Sequence, residues 1–282
     1  MAGLSGEKID VVIPYSPKEK DIVEMCILGC MKNISDLGQI YVISADESFN
    51  YRGVNVIGEK VLFTDGLNRQ YVEQRLNKEH PKLAFRAGWF YQQFIKLGCS
   101  YAIPRLSESY VVVDADVVFL KKVNFFDNGK LLLASSNEYN EPYFRCYEKL
   151  LGQTPDKKHS FVSHHMPFSK AIVLGLISII ERRFNRKWYD AVLDSVDGDY
   201  SMFSEYETFG HFAQSYHPEK CRIRRLRNLQ RFKVRSLLKL IFYCPDYVTI
   251  HNYKKPWNNP RTNPFLYKCF LDLTARRLKN GG

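Results

Sequence analysis

The run Tyr110-Val-Val-Val-Asp114-Ala-Asp116-Val-Val-Phe-Leu120 sets two carboxylates, two residues apart, inside one of the most apolar stretches of the chain. An apolar run without alternation predicts a strand buried on both faces of a sheet. On such a strand Asp114 and Asp116 would share a face, with about 6–7 Å between their Cα atoms. Two like charges buried that close are costly unless a cation or a donor network compensates them. The least costly setting is a strand end in a cleft, with a divalent metal between carboxylate and phosphate oxygens.

Patterning elsewhere places that run in an α/β chain with a parallel sheet. Residues 8–14 (KIDVVIP), 39–44 and 54–57 read as strands, with a helix between the first two that ends near residue 33. Ser16-Pro17-Lys18-Glu19 reads as the turn into that helix, with Ser16 as N-cap and Pro17 at the first helical position. Helical spacing follows at 67–80, 85–97, 141–151, 169–184, 187–196, 203–216 and 265–278. Further strands are expected at 131–135, after the turn Asp127-Asn128-Gly129, and at 247–251, while 160–164 is strand-like. No repeat, low-complexity tract or long linker interrupts the 282 residues, so one compact unit is expected.

Composition narrows the class. Hydrophobic residues at 45% and charged residues at 25% are proportions of a globular protein, and no apolar run reaches the ~20 residues of a membrane span. The first ten residues lack a signal-peptide pattern. The seven cysteines are scattered and include no CxxC pair, as expected of reduced thiols in a cytosol-like compartment. Net charge is +11, and the segment 220–239 (KCRIRRLRNLQRFKVRSLLK) carries no acid. It reads as a solvated basic helical face, or as a surface for substrate phosphates or an anionic membrane. Nucleic acid is a poorer fit, because no recognition motif accompanies the charge.

Three further clusters carry chemistry. Thr249-Ile-His251-Asn-Tyr-Lys254-Lys255-Pro-Trp257 puts a histidine at a strand end, followed by two lysines and a tryptophan in one short loop. Neutral imidazole is a metal ligand, and lysine neutralises charge on a departing phosphate. Phe203-Ser-Glu205-Tyr-Glu207-Thr offers a carboxylate to take an acceptor proton, with Glu207 preferred and Glu205 the alternative. The two glutamates point about 200° apart on a helix, so they cannot both face one site unless the helix has barely begun. Asp197 and Asp199 are further candidates. Of the adjacent His164 and His165, which strand geometry turns to opposite faces, one could meet a sugar or a diphosphate.

Taken together, Ile13-Pro14-Tyr15, Asp114-Ala115-Asp116 and His251-Asn-Tyr-Lys-Lys255-Pro-Trp257 resemble a GT-A-fold glycosyltransferase. The ending is similar to the His-x-x-Gly-x-x-Lys-Pro-Trp loop of the family of glycogenin and bacterial galactosyltransferases, although this loop has Tyr253 and no glycine and its spacing is shorter. The blocks Arg86-Ala-Gly-Trp89-Phe-Tyr-Gln92-Gln93-Phe-Ile-Lys96, Ser163-His-His165-Met166 and Ser204-Glu205-Tyr-Glu207-Thr look closer to DUF6492-type glycosyltransferases of bacteria and large DNA viruses.

That resemblance implies a Rossmann-like half at 9–120 for a nucleotide sugar, an acceptor half at 121–260 and a C-terminal helix at 261–282. The mixed central sheet would be flanked by helices. It implies Mn2+ or Mg2+ held by Asp114, Asp116 and His251, with Asp114 alternatively on the ribose. Pro14, Tyr15 and Ser16 would line the uracil pocket, Lys254 or Lys255 would meet the diphosphate, and Arg86 would lie near Asp114 or the donor sugar. Ala115, His165 and Trp257 complete the expected donor contacts. The implied donor is a UDP-sugar (xylose, glucose or galactose), the implied acceptor a hydroxyl on a glycan, free or lipid- or protein-linked, and the expected place a bacterial or infected-host cytosol. Inversion is expected if a glutamate is the base, whereas the loop resemblance pulls towards retention. Two other readings compete. The hydrophobic-Asp-x-Asp pattern also opens haloacid-dehalogenase-type phosphatases, where Asp114 would be the nucleophile. A non-catalytic basic binding module would need neither aspartate.

Overall fold

A computed structural model describes residues 8–196, 202–230 and 232–280. Its strands are β1 (Ile9–Tyr15), β2 (Leu37–Ser44), β3 (Asn55–Gly58), β4 (Ser109–Val113), β5 (Val117–Phe119), β6 (Phe126–Asp127), β7 (Lys130–Ala134), β8 (His165–Ser169), β9 (Cys221–Arg224), β10 (Asn228–Leu229) and β11 (Tyr247–Thr249). The helices are α1 (Val23–Asn33), α2 (Glu59–Leu62), α3 (Arg69–Glu79), α4 (Ala87–Ala102), α5 (Glu141–Leu151), α6 (Lys170–Phe184), α7 (Trp188–Ser195), α8 (Glu205–Tyr216), α9 (Val234–Phe242) and α10 (Pro264–Asn280).

The central sheet has the order β3-β2-β1-β4-β8, parallel except for β8, which runs antiparallel to β4. The expected mixed α/β sheet flanked by helices is present. Continuous apolar strands are explained by period-two burial on both sides. Val11, Ile13, Val111 and Val113 enter a core with Cys26, Ile27 and Cys30 of α1. Val12, Tyr110 and Val112 enter the opposite core with Phe90, Phe94 and Leu97 of α4. Each such buried side chain contributes about 1.5–3 kcal/mol relative to exposure.

The chain reverses between β1 and β4. From β1 it goes outward to β2 and β3 on one side, then returns to place β4 on the other. The crevice beyond the carboxyl ends of β1 and β4 is thus a topological switch point, the ordinary ligand site of open α/β sheets.

Three expectations are corrected. Residues 110–120 are not one strand: β4 ends at Val113, residues 114–116 turn, and β5 leaves for a second sheet of order β10-β11-β5. The aspartates therefore sit on a turn between two sheets, and no strand pleat sets their common face. The strand-like 160–164 forms only a single bridge, Ser136 to Ser160, and the strand begins at His165. The basic 220–239 segment is not one helical face either. It supplies β9 to the sheet β6-β7-β9, then β10, and becomes helical only at Val234. The Asp127-Asn128-Gly129 turn stands as read: Asn128 and Gly129 both have positive φ, as a two-residue hairpin demands.

α1 seats β5. A Cβ on Gly29 would lie 3.0 Å from the Phe119 amide nitrogen, so the bare glycine lets the helix approach the strand backbone. Beyond β5, Val118 and Leu120 join Val248, Ile250, Leu240, Tyr267 and Phe270 in a third core beneath α9 and α10.

Candidate active site

The turn after β4 is fixed from both sides. The Asp114 amide donates to the His164 carbonyl (3.0 Å), and the Val117 amide donates to the Asp114 carbonyl (3.0 Å). β5 pairs antiparallel with β11, Val117 opposite Thr249, and the Ile250 amide donates to the Asp116 carbonyl (2.9 Å). This pairing carries His251 to Asp116, 135 residues away in sequence, with His251 Nδ1 3.1 Å from Asp116 Oδ2. The other oxygen, Asp116 Oδ1, is buried and has no hydrogen-bond partner. An orphaned buried carboxylate oxygen calls for an unseen cation or donor.

Asp114 is differently placed. Its Oδ1 is 2.6 Å from Lys96 Nζ and accepts from the Tyr206 hydroxyl (2.9 Å), and its Oδ2 lies 3.4 Å from His164 Nδ1. Burial opposes ionisation, but Lys96 and His164 outweigh it and hold the Asp114 carboxyl well below the usual range. Lys96, 3% exposed at the core face of α4, also meets Glu205 Oε1 at 2.7 Å and lies over the Tyr206 ring. With its amide nitrogen turned towards Glu205, Gln93 donates to the same carboxylate. These partners come from α4 and the first turn of α8, the two blocks Trp-x-x-Gln-Gln-x-x-Lys and Ser-Glu-Tyr-Glu.

The other expected residues divide. Glu205 and Glu207 do point to different sides of α8, but each is 1% exposed. Glu207 accepts from the Phe161 amide (2.7 Å) and the Ser160 hydroxyl (3.2 Å), and lies 3.4 Å from His211. Its work is to tie α8 to the segment before His164, whereas Glu205 is the counter-charge of Lys96. Neither carboxylate reaches an open cleft. Asp197 and Asp199 lie outside the described residues.

His165 faces away from the aspartates into a core lined by Phe119, Phe125 and Tyr247. Burial, then the Arg224 charge, push it down to about 3. It is His164, with φ of +63°, that turns into the site, its ring centroid 4.7 Å from that of His251. No backbone pattern in the sequence announces a left-handed histidine; the clue was only the pair itself. Lys255 is fully buried, bound to Asp21 Oδ1 (2.5 Å) and the Lys18 carbonyl (3.1 Å), so it anchors the last loop to the first turn. Lys254 reaches Gln230 (3.2 Å), Arg86 lies over the Trp89 ring, and Trp257 is exposed with one edge on Tyr267. Pro14 and Tyr15 are buried at the end of β1, where Tyr15 packs on Phe49 at 4.6 Å, and the Ser16 carbonyl accepts from Glu19. Ala115 is buried between the aspartates.

Glu19, read from sequence only as a turn residue, is a third carboxylate of this crevice. Its Oε2 is buried without a partner. Burial, then the charge of Asp116, push its carboxyl up from 4.5 to about 7. A carboxyl raised in the folded state contributes stability that is complete below its unfolded value and lost as pH rises through its folded one. In EDTA, the wild type should therefore lose on the order of 2 kcal/mol between pH 4.5 and 7 relative to Glu19→Gln. Parallel stability curves for the two proteins, measured by urea unfolding across that range, would sink the assignment.

For a metal, the residues fit in part. Among the described residues, no group of three His, Cys, Asp or Glu side chains stands ready as a ligand set. Asp116 does fit, through its orphaned Oδ1. His251 also fits, since burial, opposed by Asp116, leaves its imidazole below its ordinary value and so neutral at neutral pH. Asp114 has both oxygens committed to protein partners. No disulfide joins any of the seven cysteines, and no described helix is long and apolar enough to cross a membrane.

A family model described as "Family of unknown function (DUF6492)" matches residues 9–234. No curated protein matches the sequence. Among solved structures, mouse xyloside xylosyltransferase 1 in its apo form is similar at 11% identity, over 88% of this chain and 99% of that one, with a TM-score of 0.46. The galactosyltransferase LgtC, in complex with donor and acceptor sugar analogs, is similar at 10% identity, over 95% and 96%, with a TM-score of 0.49. Neither likeness is close enough to carry a functional argument.

Proposed function

The chain belongs to the DUF6492 family, whose description assigns no activity, and we propose that it is a metal-dependent GT-A-type glycosyltransferase acting on a UDP-sugar. One observation carries the reading. A buried carboxylate with an orphaned oxygen, Asp116 Oδ1, stands against a neutral histidine at the switch point of a Rossmann-like half sheet. In that crevice a nucleotide diphosphate would have its phosphates beside the aspartate turn. Asp116 and His251 would hold Mn2+ or Mg2+, which supplies a counter-charge for the leaving diphosphate.

The remaining residues have stated parts. Asp114 is a positioning residue: Lys96, Tyr206 and His164 hold it, and its backbone sets the turn that aims Asp116. Lys255 positions the His251 loop by binding Asp21 beside the first turn. Pro14, Tyr15 and Ser16 wall the nucleotide side, and Lys254, which reaches Gln230 beside the His251 loop, would approach the diphosphate. The acceptor side is a polar cavity of about 550 Å³ lined in part by Glu138, Asn137, Asn228 and Gln230. Amide and carboxylate side chains of this kind recognise sugar hydroxyls through directed hydrogen bonds. Glu138 is exposed there, and its charge acts on both His164 and Tyr253. It replaces Glu207 and Glu205 as the carboxylate for the acceptor proton.

The phosphatase alternative asks Asp114 to attack phosphorus, yet both its oxygens are held by cationic or donor groups. A screen of UDP-xylose, UDP-glucose and UDP-galactose tests the proposal, with UDP release measured in Mn2+ and in EDTA. At least one donor should turn over with metal and not without it. If no nucleotide sugar is either hydrolysed or able to raise the melting temperature, the proposal fails. With an active donor in hand, Glu138→Gln should lower transfer to an acceptor more than donor binding. Unchanged transfer would remove Glu138 from the reaction.

A further inference from the structure

The amphipathic helix α9 has two apolar faces, and the core needs only one. Ser236 and Leu240 are buried, with Leu237 against the same cluster, which includes Tyr267 and Phe270 of α10. On the other side Val234, Leu238, Ile241 and Phe242, spaced i, i+4, i+7 and i+8, form an exposed stripe, which Tyr243 extends. Phe242 and Tyr243 are 72% and 73% exposed, values that water alone does not favour for large rings.

The segment that carries this stripe holds charge of one sign only. Residues 220–245 contain no Asp or Glu, and Arg225, Arg227, Lys233, Arg235 and Lys239 are all exposed. Arg227 meets Asp246, which follows the helix. A cavity of about 650 Å³ opens at this place, with Leu229 and Leu238 in its wall and Arg227, Arg235 and Lys239 among its lining. Apolar residues projecting from a basic collar complement an anionic lipid surface: rings and aliphatic chains enter the acyl boundary while the cations meet head-group phosphates. A nucleic acid would use the charge but leave Phe242 and Ile241 in water.

We propose that α9 and the turn after it form a peripheral membrane-binding surface that docks on an anionic phospholipid bilayer. Asn228 lines both this cavity and the polar acceptor cavity, so docking brings that cavity to the membrane. The consequence for substrate, which rests on the glycosyltransferase reading, is a glycan acceptor carried on a membrane lipid. Membrane binding itself does not rest on it.

Vesicle co-sedimentation tests the surface. The full chain should bind vesicles containing phosphatidylglycerol, bind pure phosphatidylcholine far less, and release as salt is raised. Leu238→Ser with Phe242→Ser, and separately Arg235→Glu with Lys239→Glu, should each weaken binding about tenfold or more. These positions are exposed, so both double variants should melt with the wild type. The proposal is overturned by absence of binding to anionic vesicles, by equal binding to neutral ones, or by double variants that bind as the wild type does. It is equally overturned if the stripe proves to be a dimer contact that L238S/F242S dissolves, or if an oligonucleotide displaces the vesicles. Turnover of UDP-sugars in solution, followed in parallel, separates a failed membrane surface from a failed enzyme assignment.

Discussion

Asp116→Asn should lower sugar transfer by roughly 100- to 1,000-fold in kcat while leaving the melting temperature within a few degrees of the wild type, the size seen when one electrostatic contact to a developing charge is lost. The substitution keeps shape and removes the charge from the one carboxylate of the turn whose oxygen no protein donor satisfies. Because Asp116 Oδ1 has no partner to lose, the fold gives up little. Metal affinity should fall together with kcat, so a Mn2+ titration of UDP-sugar turnover is the paired measurement. Full turnover in the variant, at any metal concentration, would end the assignment of Asp116.

Lys96→Met should have the opposite signature, a large loss of stability. The variant leaves Asp114 and Glu205 buried with their common counter-charge gone. Breaking one side of a buried charge cluster costs about 3–5 kcal/mol, and in a chain of this size that lowers the melting temperature on the order of 10 °C. The pH dependence gives the sign. Without the lysine both carboxyls are raised in the folded state, so the variant should recover stability as pH falls and the two groups protonate. Adding Glu205→Gln should restore part of the loss at neutral pH, since one uncompensated charge is then absent. A melting temperature equal to the wild type's at pH 7 would show that the cluster is not held as described.

These two expectations separate aspartates that look equivalent in sequence. Period and composition located the apolar run, its place after strand–helix units, and the strand-end position of the carboxylates. They also placed nearly every helix, because an apolar stripe at 3.6-residue spacing is a local property. What they assigned wrongly was continuity. A run of Val, Asp, Ala, Asp, Val, Val and Phe scores as one strand, yet the chain turns at Asp114–Asp116 because β5 finds β11, and a partner 130 residues away leaves no trace in a local pattern. His164 and His165 failed for a related reason: strand alternation separates them, but only the backbone at His164 decides which one enters the site. Lys255 read as a surface charge for phosphate, and the Asp21 contact that claims it is again long-range.

From the sequence alone came the α/β class, the residue types of the proposed nucleotide-sugar site and the basic segment near the end. The tertiary structure alone decided what each member of a pair is bound to. Asp116 is left with an oxygen free for a cation while Lys96, Tyr206 and His164 consume Asp114, and α9 turns a second apolar stripe to solvent. The physical reason is common to both: hydrophobic periodicity depends on near neighbours along the chain, whereas the protonation, pairing and exposure of a polar group depend on whatever the fold packs beside it.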